Sequence, residues 1–215
     1  MNNITSLLKK YSVFLVGLFI AAMGVGLSTK ASLGTSPVAS LPYTVSLISK
    51  ALSFGEWLIV LSIIQIIIQI ILLKKNSNPL DLGVQVVVSF VYGYLTNFAC
   101  SLIDGLKVAN YFEQFICMLA GCVVLGFGIW LQLKANVAML SGEAMNRAIS
   151  VVSGIKYENI KIFFDIFYIV VSAILGFIFF GELKGVREGS IIAAVTIGNI
   201  IKFYNHLWNK RKQAK

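Results

Sequence analysis

Asp165 stands in the run KIFFDIFYIVVSAILGFIFF, a carboxylate among twenty mostly apolar residues. A charged aspartate at the centre of a membrane helix costs about 2.5–3.5 kcal/mol on insertion scales, so it calls for a charged partner or for water. Lys161, four residues earlier, offers the partner. Tyr168 and Ser172 continue the same helical face. An earlier isoleucine-rich run carries Ser62, Gln65 and Gln69 at the same spacing, and each stands 103 positions before Asp165, Tyr168 and Ser172 respectively. Gln85, Ser89, Tyr92 and Thr96 make a further one-sided polar face, and Thr196 and Asn199 a shorter one. In hydrocarbon every such group must face a partner or water. Two chemistries satisfy that demand. One is interhelical hydrogen bonding in a dry bundle, worth about 0.6–2 kcal/mol per contact; the other is the lining of a hydrated path for a polar solute.

A second group of residues lies where apolar runs are broken. GVGLSTKASLGTSPVASLPYTVSLI, Gly24 to Ile48, contains a helix-start pattern with Ser36 as cap and Pro37 at the first helical position, where a missing N–H is harmless. Val38, Leu41, Val45, Ile48 and Leu52 then form an apolar stripe at helical spacing. Its counterpart is MLSGEAMNRAISVVSG, with Ser141 read as cap, Glu143 in the first turn and Arg147 beyond. A broken helix aims unpaired N–H groups and the positive end of its dipole at whatever fills the gap, which suits a small polar or anionic solute. A short amphipathic helix lying flat on the membrane face is the other reading. The candidate pathway set is therefore Ser36, Ser62, Gln65, Gln69, Gln85, Tyr92, Ser141, Glu143, Asp165, Tyr168 and Asn199.

Enzyme chemistry has little to build on. The single histidine, His206, ends an apolar run beside Trp208 and a basic tail, and there is no H-E-x-x-H, G-x-S-x-G or P-loop pattern. Cys100, Cys117 and Cys122 fall in apolar runs without C-x-x-C spacing and read as small buried hydrophobes. We expect no enzyme activity, no metal and no cofactor.

The elements that must position these residues follow from composition. With 58% hydrophobic and 13% charged residues and a mean hydropathy of +0.85, the 215-residue chain belongs in a lipid bilayer. Six runs reach the length needed to cross about 30 Å of hydrocarbon: 11–29, 56–73, 82–103, 111–133, 160–180 and 188–206. KKNSNPLD, at 74–81, is the clearest loop. The N-terminal run reads as the first span and not as a signal peptide, because similar runs follow it. The net charge of +9 needs no nucleic acid to explain it. Placing the N-terminus in the cytoplasm puts Lys9, Lys10, Lys74, Lys75, Lys134, Arg147, Lys156, Lys161, Lys202, Lys210, Arg211, Lys212 and Lys215 inside. Only Lys30, Lys50, Lys107, Lys184 and Arg187 remain outside, as the positive-inside rule requires with both termini cytoplasmic.

Internal repetition organises the runs. GVGL at Gly24 returns as GFGI at Gly126, Gly93 matches Gly198, and Phe98 matches Phe203, at separations of 102 to 105. Three spans per copy is an odd number, so the second copy is inverted. The expected fold is all-α: a single multi-pass domain of six transmembrane helices in two inverted three-helix repeats, about 11–104 and 111–206, each with a short broken or amphipathic helix after its first span.

The order G-x-G-L then K-A-S-L-G-T-S-P closing the first span, the F-G-E-W opening of the second and the glycines that open the third and sixth resemble the YczE/YyaS/YitT family of bacterial integral membrane proteins. LGTSP, Leu33 to Pro37, is the most specific element. The family's pattern after that proline has a tryptophan and an acidic residue, where this chain has Val38 and Ala39. The resemblance implies a multi-pass protein of a bacterial cytoplasmic membrane, with transport suspected. The expected function is a small-solute transporter with its site between the repeats, export being one direction open to it. The alternatives are a substrate-binding subunit of a multi-component uptake system, or a membrane scaffold or regulatory protein with a dry core.

Overall fold

The computed structural model describes residues 2–74 and 77–213. Among them the chain forms eight helices and no strand: α1 (Asn2–Lys30), α2 (Pro37–Ile48), α3 (Phe54–Leu73), α4 (Pro79–Ile103), α5 (Tyr111–Ala135), α6 (Ser141–Ser153), α7 (Tyr157–Phe180) and α8 (Glu188–Gln213). Five of them, α1, α3, α4, α5 and α7, are long and apolar enough to cross a membrane. The sixth expected span, 188–206, is helical within α8, but Asn199, Lys202, Asn205 and His206 dilute its second half and it falls short of the other five in hydropathy. Lys75 and Lys215, read above as inside charges, lie outside the described residues, as do the side chains of Arg211 and Lys212.

Local sequence accounts for the helix boundaries. Ser53 and Glu56 close a capping box at the start of α3, the Ser53 N–H donating to Glu56 Oε2 at 2.7 Å. Asn78 caps α4 by accepting from the Leu80 N–H at 3.1 Å, so the loop expected over 74–81 is shorter by one helical turn. Asn110 caps α5 in the same way, accepting from the Glu113 N–H.

The centre of the bundle is the crossing of α1 and α5, made possible by glycine. A Cβ placed on Gly17 would come to 2.9 Å of the Gly128 carbonyl oxygen and 3.1 Å of Gln132 Cγ. One placed on Gly24 would lie 2.7 Å from Leu125 Cβ, and one on Gly121 would lie 2.9 Å from the Gly24 carbonyl oxygen. Partners earlier in α1 lie later in α5, so the two helices run antiparallel with backbones in near contact, the small-residue packing of membrane helices. Ala21, Val25, Ala39, Leu58 and Leu125 pack around this crossing.

Around that pair, α1 packs on α4 and α5 on α8; α2 packs on α7 and α3 on α6; α2 meets α3 and α6 meets α7. The exception is that α3 packs along α4, whereas α7 and α8 do not pack along each other among the described residues. Gly55 and Gly93 bring α3 and α4 together, a Cβ on Gly93 coming to 2.5 Å of the Gly55 carbonyl oxygen, and Asn97 Oδ1 accepts from the Gly55 N–H at 2.8 Å. Gly198, on α8, has nothing within 4 Å of where a Cβ would stand. The seam between α7 and α8 is loosely packed among the described residues.

Candidate functional site

Helices α2 and α6 begin inside the bundle. Pro37 and Ser141, their first residues, are buried, and both helix starts line one cavity of about 210 Å³. Neither start has a side-chain cap: Ser36 is the N-cap of α2 but its hydroxyl makes no capping bond, and the N-cap of α6 is Leu140. Ser141, expected as the cap, is instead the first helical residue, and its hydroxyl donates to Gln65 Oε1 at 2.8 Å. Its hydroxyl thus satisfies Gln65, an amide buried among isoleucines of α3 that must find a donor.

Of the sequence-derived candidates, Ser36, Ser62, Gln65, Tyr92, Ser141, Glu143 and Asp165 share this cavity. Tyr168 is buried behind it and accepts from Gln65 Nε2 at 2.9 Å, so the two residues read as equivalent in the polar stripes touch each other at the centre. Asp165 pairs with Lys161, whose Nζ lies 3.3 Å from Oδ2 and 3.4 Å from Oδ1. The Asp165 side chain retains 19% exposure and the Lys161 side chain 38%. Both residues line the cavity, so Asp165 is paired with Lys161 and borders the cavity at once. Asn199 does not join the site: it lies on the exposed side of α8.

Two cavity residues were not singled out as lining residues from the sequence. Lys161 enters as the partner of Asp165. Asn146 sits one turn after Glu143 on α6, is 5% exposed, and its Oδ1 has no hydrogen-bond partner. Polar residues are ordinary in a short amphipathic helix, and only the burial of this one marks it.

Gln69 and Gln85 lie between the cavity and a vestibule of about 490 Å³ lined also by Tyr11, Ser77, Asn136, Arg147 and Val151. Gln69 Nε2 donates to Gln85 Oε1 at 2.9 Å and to the Ser141 carbonyl at 3.3 Å. With the Ser141–Gln65–Tyr168 bonds, these contacts close that side of the cavity with side chains from α3, α4, α6 and α7.

A second vestibule, of about 690 Å³, is lined by Ser32, Gly34, Tyr43, Leu47, Lys184 and Arg187 among others. Here the closure is backbone. Gly34 and Val186 form an antiparallel bridge, the Gly189 N–H donates to the Leu33 carbonyl at 2.9 Å, and the Thr35 N–H donates to Ser190 Oγ at 3.1 Å. Gly34 has φ +107°, and a Cβ there would also meet Ser190 Oγ and come to 3.0 Å of the Arg187 nitrogen. A Gly34→Ala chain is expected to lose about 1–3 kcal/mol, read as a lower melting temperature of the solubilised protein; an unchanged melt would mean that the bridge contributes nothing.

No solved structure matches the chain. It is 31% identical over 129 residues to "Uncharacterized protein YyaS" of Bacillus subtilis (strain 168), a match covering 58% of this chain and 61% of that protein. The chain thus spans about three fifths of the length of the curated relative it matches, and the resemblance seen in LGTSP is borne out by that similarity. A family model described as a family of unknown function (DUF6198) matches residues 8–206. Since that match takes in most of the 215 residues, this chain belongs to the DUF6198 family.

Proposed function

We propose that the chain is a small-solute transporter of a bacterial cytoplasmic membrane, with six spans in two inverted repeats and its site in the cavity where α2 and α6 begin. That shared cavity, with two uncapped helix starts facing it, is the observation that carries the reading. Re-entrant half-helices whose N-termini meet in the middle of a bundle are how secondary transporters hold polar solutes in lipid.

The contacts of α1 and α5 support the inverted relation. Gly17 corresponds to Gly121 and Gly24 to Gly128, 104 positions apart in each case (121 minus 17, 128 minus 24). Under that shift the Gly17–Gly128 contact becomes Gly121–Gly24, and the Gly17–Gln132 contact becomes Gly121–Ser28, each of which also occurs. The first glycine of GVGL thus corresponds to the second glycine of GFGI, Gly128, two residues on from Gly126. Ser32 and Asn136, both with left-handed backbone at φ 56° and 48°, obey the same shift. So do the vestibules: Ser32, Gly34, Tyr43 and Leu47 line one, and Asn136, Ala138, Arg147 and Val151 line the other.

In this reading the Tyr11–Ser77–Asn136 vestibule is cytoplasmic, with both termini on that side, and the Gly34–Val186 closure is external. α8 is the sixth span, its polar second half held by Trp130, whose Nε1 donates to Asn205 Oδ1, and by ring contacts among Phe127, Trp130, Tyr204 and Trp208.

The test is thiol labelling in a chain with its three native cysteines replaced. Ser77→Cys should react with an impermeant maleimide from the cytoplasmic side and Lys107→Cys from the outside. Ser62→Cys, inside the cavity, should react with a small methanethiosulfonate from either side and more slowly than both. A Ser62→Cys that reacts from neither side would identify a dry scaffold and end the transport reading.

A further inference from the structure

Resting on the proposed transport site, we propose that the cavity takes a protonated primary amine with an apolar body, its ammonium held by Glu143 and Asn146. The argument starts from hydrogen-bonding demand. Gln65 has a partner at each amide atom, Tyr168 and Ser141, and Lys161 is engaged with Asp165. Two acceptors on cavity-lining residues are left over. Asn146 Oδ1 is buried and unpartnered, and the Glu143 carboxylate, on the same helix one turn earlier, has no hydrogen bond or ion pair among the described residues. Both lack a donor, and an ammonium supplies three.

Charge points the same way. With both carboxylates ionised, the charged side chains lining the cavity, Glu143, Asp165 and Lys161, sum to one negative charge, which an added monocation brings to neutral. An anion would meet the Glu143 and Asp165 carboxylates with the Lys161 ammonium already engaged by Asp165.

The walls define the rest of the solute. Leu58, Leu61, Leu125, Ile129, Ile197 and Ile201 line the cavity, and about 210 Å³ leaves room for a small apolar body beside the charged end. Its lining also reaches the loosely packed seam: Lys161 and Asp165 come from α7 and Gly198 from α8, where Gly198 is exposed and the helices do not pack along each other. An amphipathic amine, which concentrates at the membrane interface, meets that seam directly.

The experiment is equilibrium binding to the full chain in lipid nanodiscs, with empty discs subtracted. The probes are phenethylamine, its trimethylammonium analogue and 3-phenylpropionate. Phenethylamine should bind saturably, the trimethylammonium compound, which lacks N–H donors, about tenfold more weakly or worse, and the carboxylate not at all. Glu143→Gln should weaken the amine by about tenfold or more, the loss that follows removal of a charge-assisted hydrogen bond. Asn146→Asp, which keeps the shape and adds a charge, should tighten it several-fold. Preferred binding of 3-phenylpropionate, no saturable amine binding, or amine affinity unmoved by Asn146→Asp would each overturn the proposal. If Glu143→Gln fails to fold, the Asn146→Asp arm decides. Amine binding without flux in liposomes would remove transport and keep the amine site; flux of another solute without amine binding would do the reverse.

Discussion

A Gly24→Leu chain is expected to leave essentially no folded protein in detergent extracts, whereas Gly83→Leu should accumulate normally. At Gly24 the first atoms that a Cβ meets belong to the Leu125 backbone and its Cβ at 2.7 Å, and at Gly83 there is nothing within 4 Å. Overpacking costs about 1–3 kcal/mol where side chains can move aside. Backbone cannot move without separating α1 from α5, and that contact holds the two halves of the chain together. The measurement is monodisperse yield by fluorescence-detected size exclusion of a fused chain. Equal yields would mean that the crossing is not the organising contact.

The second large effect concerns the ion pair on α7. Asp165→Asn should reduce solute flux by about tenfold or more while yield and melting temperature stay near those of the parent, because the amide keeps the shape in a cavity that already admits partial exposure. Lys161→Met separates two accounts of the same pair. Removing one partner from a fully desolvated pair costs about 3–5 kcal/mol. With the Lys161 side chain 38% exposed, the cost should fall to about 1 kcal/mol or less, as for solvated pairs. Liposome flux and thermal melting of both variants decide the matter. A collapse in Lys161→Met yield with Asp165→Asn flux intact would make the pair a structural clamp.

The helix boundaries were largely legible in the sequence because they rest on local chemistry: proline at the first position of α2 and apolar runs of spanning length. The polar stripe Gln65–Gln69 was legible for a similar reason, since an amide among isoleucines has few explanations other than an inward face. What eluded sequence reasoning depended on partners distant in the chain. Ser141 has the grammar of a cap, but Gln65, 76 positions away, claims its hydroxyl. Asn199 lies at a plausible spacing from Thr196, yet its helix turns that side outward because no α7 packs beside it. Asn146 gave no signal at all, since nothing local distinguishes a solvated asparagine from a buried one.

The two closures of the cavity differ in kind, and this has a kinetic consequence. On one side glutamine, serine and tyrosine side chains bridge four helices; on the other, main chain is joined to main chain at Gly34, Val186, Leu33 and Gly189. Side-chain rotation is a picosecond-to-nanosecond event, slowed here by the bonds to be broken, while parting two backbone segments is a collective motion of microseconds to milliseconds. The molecule should therefore wait with the glutamine side flickering and the bridged side shut. In the proposed transporter, exchange with the Tyr11–Ser77 vestibule would be rapid, and each full turnover would be timed by how often the Gly34–Val186 bridge lets go.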